Sequence, residues 1–219
     1  MGLLRYLNKL KNKRGFTLVE LIVVIAIIGI LAAILIPIVF GAVTKARVMS
    51  ANSTATGIRK SVDLLLLHSD HLYFGVIGNA YQQFDITVKS SGGKRIWTCS
   101  AADSGNFTTT GSLTWGSAGS YTSGDDMDNI TSGESLICAS LCDNMPSLNN
   151  GSMVIVLRGG KCTFVAFTEA TNDILPASEY PTPVDGRAPE SFVWNGSTDG
   201  ISPSGMVIGT DPQIHRPNR

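Results

Sequence analysis

Arg14-Gly15-Phe16-Thr17-Leu18-Val19-Glu20, followed without a break by the apolar run from Leu21 to Phe40, decides how the rest of the chain is read. The run holds 20 residues and no charged side chain. At about 1.5 Å of rise per residue, a helix of that length reaches about 30 Å, enough to cross the hydrocarbon core of a bilayer. A single carboxylate, Glu20, stands at its entrance. A plain membrane anchor explains the run but not the acid, because ionised groups are costly within a span and need a reason to be there.

Outward from that stretch, charge is unevenly distributed. Arg5, Lys9, Lys11, Lys13 and Arg14 give the first 15 residues a charge of +5 with no acid, and the rest carries −5, from 12 bases and 17 acids. A basic flank directly before an apolar span favours a cytoplasmic N-terminus and a body outside the membrane. The body is rich in Ser, Thr, Gly and Asn. It contains no basic footprint, so no nucleic-acid partner is expected.

The order of parts differs from that of a secretory signal, which is cleaved after its apolar region at a small-x-small site. Here Ala32-Ala33 lies inside the run and is followed by more apolar residues. The processing point that fits is Gly15-Phe16, before the span, which leaves the span on the mature protein.

The stretch from Lys13 through Glu20-Leu21, continuing through Ile25-Ala26-Ile27-Ile28-Gly29 to Pro37, resembles the prepilin N-terminus of type IV pilins and pseudopilins. The resemblance covers about 30 residues and extends by pattern to about His68. It implies cleavage between Gly15 and Phe16 by a membrane-embedded prepilin peptidase, with N-methylation of the new Phe16 amine. It also implies that Glu20 neutralises the Phe16 amine of a neighbouring subunit, and that the segment between Gly29 and Pro37 loosens when the subunit leaves the bilayer. Implied partners are other pilin subunits in a homopolymer, minor pilins, the peptidase, a membrane assembly platform with its ATPase, and lipid before assembly. The implied location is the inner (cytoplasmic) membrane as precursor, then an extracellular filament of the kind that serves adhesion, motility or DNA uptake.

Beyond the apolar run the helical pattern persists. Val43, Ala46, Ala51, Ala55, Ile58, Val62 and Leu65 or Leu66 recur mostly at spacings of three and four, forming one apolar face. Gly41 and Gly57 each weaken the helix by about 1 kcal/mol relative to Ala, and Pro37 removes a backbone donor and is expected to kink it. A helix from Thr17 to Leu67 would be about 75 Å long. That exceeds a globular body of this size, so its first half is expected to project.

From residue 69 the pattern changes to period two. Phe84 to Lys89, the turn Ser91-Gly92-Gly93 and Lys94 to Cys99 predict one hairpin. Met153 to Leu157, Arg158-Gly159-Gly160-Lys161 and Cys162 to Phe167 predict a second. The apolar strand Met153–Leu157 implies cover on both faces. A short helix is expected over Glu134 to Leu141, late strands at Ser191–Trp194 and Met206–Ile208, and extended or looped chain at 100–135 and 176–189.

The fold class is therefore α+β: a long N-terminal helix, apolar then amphipathic, packed on an antiparallel β-sheet head. Its divisions are a basic leader (residues 1–15), a hydrophobic helix (16–43), an amphipathic helical half (44–68), a head (69–210) and a flexible tail (211–219).

No catalytic motif is present; Ser91 and Lys94 match S-x-x-K only within a hairpin turn, so no enzyme activity is expected. No cofactor or metal is expected. Cys99, Cys138, Cys142 and Cys162 permit two disulfides in three pairings, which suits an exported head. Cys138 and Cys142 lie on one helical face, but a structural zinc site more usually shows two close pairs. Asp125, Asp126, Asp128 and Asn129 lack the spacing of a calcium loop. Two further readings stand beside the filament subunit. One is a pseudopilin of a type II secretion or DNA-uptake system. The other is a membrane-anchored binding module using Trp97, Trp115 and Trp194.

Overall fold

The computed structural model describes residues 16–68, 81–101, 116, 118–158, 161–181 and 199–214. Two compact units, Met1–Lys45 and Ala46–Arg219, divide the chain within its first helix, α1 (Leu18–His68). Straight-chain and branched aliphatic residues carry α1 through 51 residues, and it continues through Gly29, Pro37 and Gly41. In the first unit the large apolar side chains from Leu18 to Phe40 are exposed. A helix apolar on every side belongs in an apolar medium. It is also the one helix among the described residues long and apolar enough to cross a membrane.

The second unit contains the rest of α1 and six strands: β1 (Tyr81–Ser91), β2 (Lys94–Ala101), β3 (Ala118–Thr122), β4 (Gly151–Arg158), β5 (Lys161–Thr168) and β6 (Gly209–Asp211). They form one sheet in the order β3-β2-β1-β4-β5-β6, with every neighbouring pair antiparallel. Both expected hairpins are present, with longer strands than their apolar cores alone suggest. In the first, Gly92 and Gly93 take φ of 58° and 79°, the positive pair that a two-residue turn between twisted strands requires. Helix α2 (Gly133–Asn144) links β3 to β4. Ser132 caps it by accepting from Ser135 N at 3.1 Å, and it runs three residues past the expected end at Leu141.

Period two sorts the strands into two apolar layers. On the inner face Phe84, Ile86, Val88, Trp97, Met153, Ile155 and Phe167 cluster with Ala55, Ile58 and Val62 of α1 and with Ile137 and Leu141 of α2. Of the apolar face read from the sequence, Ala55, Ile58 and Val62 supply the helical side of this core, with Leu65 and Leu66 partly buried at its edge, while Ala51 is half-buried and Val43 and Ala46 are exposed. Each large side chain buried here contributes about 1.5–3 kcal/mol.

Polar contacts fix α1 along the sheet's far edge. Arg59 Nη1 pairs with Asp211 Oδ1 at 2.8 Å, Cys162 N donates to Asp63 Oδ1 at 3.0 Å and Thr210 N donates to Asn52 Oδ1 at 2.9 Å. The last two occupy strand N–H groups with helix side chains. β6 comes so close to α1 that a Cβ on Gly209 would overlap the backbone of Ala51.

On the outer face Val154, Val156, Phe164 and Ala166 are covered by Leu175, Tyr180, Ile208 and Ile214. β4 is therefore buried on both sides, as its unbroken apolar sequence predicts. Asp85 lies on this face, with its Oδ1 accepting from Gln83 Nε2 at 2.9 Å and that amide also donating to Tyr180 Oη at 3.2 Å. Burial pushes the Asp85 carboxyl above its ordinary range, against the opposing effect of the Gln83 bond. Burial, with Asp85 next, pushes the Tyr180 phenol up to about 12.

Two expectations shift. The last strand is Gly209–Asp211, just after Met206–Ile208, where Val207 makes only a single bridge to Ile201. The chain expected to become a flexible tail at Asp211 continues the head, since Asp211 ends β6 and Ile214 is buried. The strand expected at 191–194 lies outside the described residues.

Gly209→Ala is expected to lower head stability by about 1–3 kcal/mol, read as a lower urea midpoint with an unchanged slope. An unchanged midpoint would mean that β6 can move off α1 freely. Asp85→Asn is expected to raise Tm at neutral pH, because the folded state penalises the ionised carboxyl. That penalty is absent once both states are protonated, so the difference should vanish below about pH 4. A difference that persists at low pH would assign it to packing.

Candidate functional site

Thr17 and Glu20 build the start of α1 together. Glu20 Oε2 accepts from Thr17 N at 2.9 Å and from Thr17 Oγ1 at 2.8 Å, and Glu20 N donates back to Thr17 Oγ1 at 3.2 Å. Leu21 N closes the first helical bond to Thr17 O at 3.2 Å. This is a capping box, in which the residue before the helix and the third residue within it satisfy each other's otherwise open N–H groups. The sequence signal is Thr17-Leu18-Val19-Glu20 itself, a T-x-x-E before an apolar run. The sequence reading treated Glu20 only as an acid in search of a partner in another chain, and this local role is additional to it.

Both donated bonds fall on Oε2, which leaves Oε1 without a donor among the described residues. Phe16 immediately precedes the box and is 76% exposed. Chemically, the site is an exposed carboxylate oxygen at the mouth of an apolar helix, beside the backbone position that cleavage after Gly15 would convert into an amine. Gly15 itself lies outside the described residues.

Further along, a Cβ on Gly29 would meet no atom within 4 Å. The absence of a side chain there serves no packing within the subunit. Small residues on apolar helices allow another helix to approach closely. Pro37 has no N–H to give the carbonyl one turn earlier, which leaves the helix a weak point there.

The head contains the remaining candidates. All four cysteines are buried and free, so no disulfide is formed in the structure. Cys162 sits on β5 with its Sγ 3.7 Å from Phe164 O, and burial, with Asp63 next, pushes its thiol up to about 12. Cys142 lies beside Trp97, and Cys99 faces Cys138. Among the described residues no three of His, Cys, Asp and Glu gather to hold a metal.

The acidic loop is built as a turn. Asp125 Oδ2 accepts from Thr122 N, Asp126 Oδ1 from Asp128 N, and Asp126 Oδ2 from Asn129 Nδ2. Trp97 is fully buried in the core, while Trp115 and Trp194 lie outside the described residues. Ser91 and Lys94 flank the hairpin turn as paired strand residues.

Comparison with protein families picks out the same N-terminal stretch. A family model, the prokaryotic N-terminal methylation motif, matches residues 10–36. The chain is 48% identical over 50 residues to a fimbrial protein of Moraxella nonliquefaciens, covering 23% of this chain and 32% of that protein. It is 39% identical over 60 residues to type II secretion system core protein G of Escherichia coli (strain K12), covering 27% and 41%. The chain thus spans about a third of the length of the first of these curated relatives and about two fifths of the second. No solved structure matches it. Residues 10–36, the stretch that matches the N-terminal methylation motif, contain Gly15, Phe16, Glu20 and Gly29. Motif and apolar helix together fit a membrane-anchored precursor.

Proposed function

We propose that this chain is the precursor of a structural subunit of a type IV pilus-like surface filament, processed between Gly15 and Phe16 and assembled through α1. The observation that carries the proposal is the pairing of two features at one helix end. The apolar surface from Leu18 to Phe40 is exposed in the subunit, and one carboxylate at its mouth keeps an oxygen open.

The physical steps follow in order. Before assembly, the apolar half of α1 is stable in lipid, with the basic leader on the cytoplasmic side. Cleavage by a prepilin peptidase produces a positively charged Phe16 amine, which N-methylation leaves charged at neutral pH. When α1 helices bundle, Glu20 and the amine both leave water, and each is costly there without an opposite charge. A neighbour's amine at Oε1 removes both costs only at one axial offset between helices, so the ion pair selects the register. Gly29 allows close helix approach, and the weak point near Pro37 supports the expected loosening of residues 29–37. The assembly partners would be other pilin subunits, minor pilins and a membrane platform with its ATPase. The role is structural rather than catalytic.

The match to core protein G favours a second reading, a pseudopilin of a secretion or DNA-uptake system. Electron microscopy of native cells separates the two: long fibres containing this chain support the pilus, and their absence supports the pseudopilin.

Glu20→Gln isolates the charge from the cap, because Gln also completes a capping box. Cleavage is expected to proceed normally while filament yield falls about tenfold or more. Normal yield from Glu20→Gln would remove ion pairing as the register device. N-terminal mass spectrometry of the surface protein is expected to find methylated Phe16 as the first residue. Met1 or Gly2 at that position would make α1 a plain anchor.

A further inference from the structure

Two of the four cysteines are brought together by the fold of the head. Cys99 on β2 pairs in register with Gly119 on β3, and directly opposed residues of antiparallel strands share a face. Over Gly119 lies the first turn of α2: a Cβ at Gly119 would meet Ser135 N at 2.6 Å and Glu134 Cβ at 2.7 Å. Ser120 N also donates to Ser135 Oγ at 3.2 Å. Cys138 comes one helical turn after Glu134, on the same helix face. Cys99 and Cys138 are both fully buried in the inner core. The other two thiols are placed elsewhere, Cys142 beside Trp97 and Cys162 on β5 near Asp63.

We propose that Cys99 and Cys138 form the single disulfide of the mature head, tying β2 to α2, while Cys142 and Cys162 remain thiols. One bridge is proposed where four cysteines permit two; Cys162 bonds to Asp63 and Phe164. The inference rests on the filament reading only in requiring an oxidising compartment.

The step is a two-electron oxidation. One thiolate attacks a disulfide-carrying thiol oxidant to give a mixed disulfide, and the second displaces it, forming the Cys99–Cys138 bond and leaving the oxidant as a dithiol. The two protons of the cysteine thiols end on that dithiol or in water. In the folded head the neighbouring Cys138 and burial hold the Cys99 thiol well above its ordinary pKa. The thiolate is therefore scarce once the core has closed, and oxidation occurs while α2 is still docking. The bridge would close a loop of about 40 residues, a length at which a cross-link restricts the unfolded chain substantially.

The test uses full-length protein extracted from native cells in detergent, denatured without reductant, labelled with an alkylating reagent and mapped by peptide mass spectrometry. Two of the four cysteines, Cys142 and Cys162, are expected to take label, and one cross-linked peptide pair should join Cys99 to Cys138. A Cys142→Ser/Cys162→Ser double variant should take no label until reductant is added. Labelling of all four cysteines, or a link through Cys142 or Cys162, overturns the proposal. Sequencing the N-terminus of the same sample reports processing separately: Phe16 with four labelled thiols sinks the disulfide and leaves the filament reading standing.

Discussion

An uninterrupted apolar helix with a single carboxylate at its mouth is stable neither in water nor, unpaired, in a dry bundle. Everything else in the chain can be related to that constraint. The exposed side chains from Leu18 to Phe40 require lipid or other helices. Within one chain, Glu20 is held by Thr17 through one oxygen only. A capping box therefore does two things at once. It satisfies the first N–H groups of α1, and it fixes the carboxylate at a defined place on the helix end. A flexible acid would tolerate many helix offsets, whereas a fixed one discriminates among them.

The same helix does different work after Lys45. There its surface is split, with Ala55, Ile58 and Val62 in the core and Asn52, Arg59 and Asp63 bonded to the β5–β6 edge. The edge of a sheet is a liability because its free N–H and C=O groups invite pairing with another chain. In this head the short strand β6 is pressed against α1, with Gly209 allowing backbone-to-backbone approach. If the subunit associates through its helix, as proposed, competing association at that edge is thereby avoided.

Much of this was legible in the sequence, for physical reasons. The basic-Gly-Phe-Thr-Leu-Val-Glu stretch combines basic charge, a lone acid and an apolar run in a way no ordinary core helix needs. The hairpins announced themselves because Gly92-Gly93 sits between alternating strands, and β4 did so because only a doubly covered strand tolerates Met153 to Leu157 all apolar. What escaped was structure without periodicity. β6 is Gly-Thr-Asp, with no alternation to detect, and the outer layer is made by Leu175, Tyr180, Ile208 and Ile214, which are scattered through loops. The proximity of Cys99 to α2 depends on the β2–β3 register and on Gly119, neither of which is local in sequence. The Thr17–Glu20 box is local in sequence, a T-x-x-E directly before an apolar run.

The methylation motif matches residues 10–36, which lie before and within the apolar half of α1. A helix that passes from lipid to a bundle of its own kind, as proposed for α1, would be constrained along its whole surface: by apolarity on every side, by small residues where helices cross, and by one charge at a set height. A sheet head must only bury its two faces and present an apolar seat to the second half of the helix. Many sequences meet that requirement. Under that proposal the head's sequence is less constrained than α1's, and any function specific to this chain beyond assembly would have to be built on the head's loops.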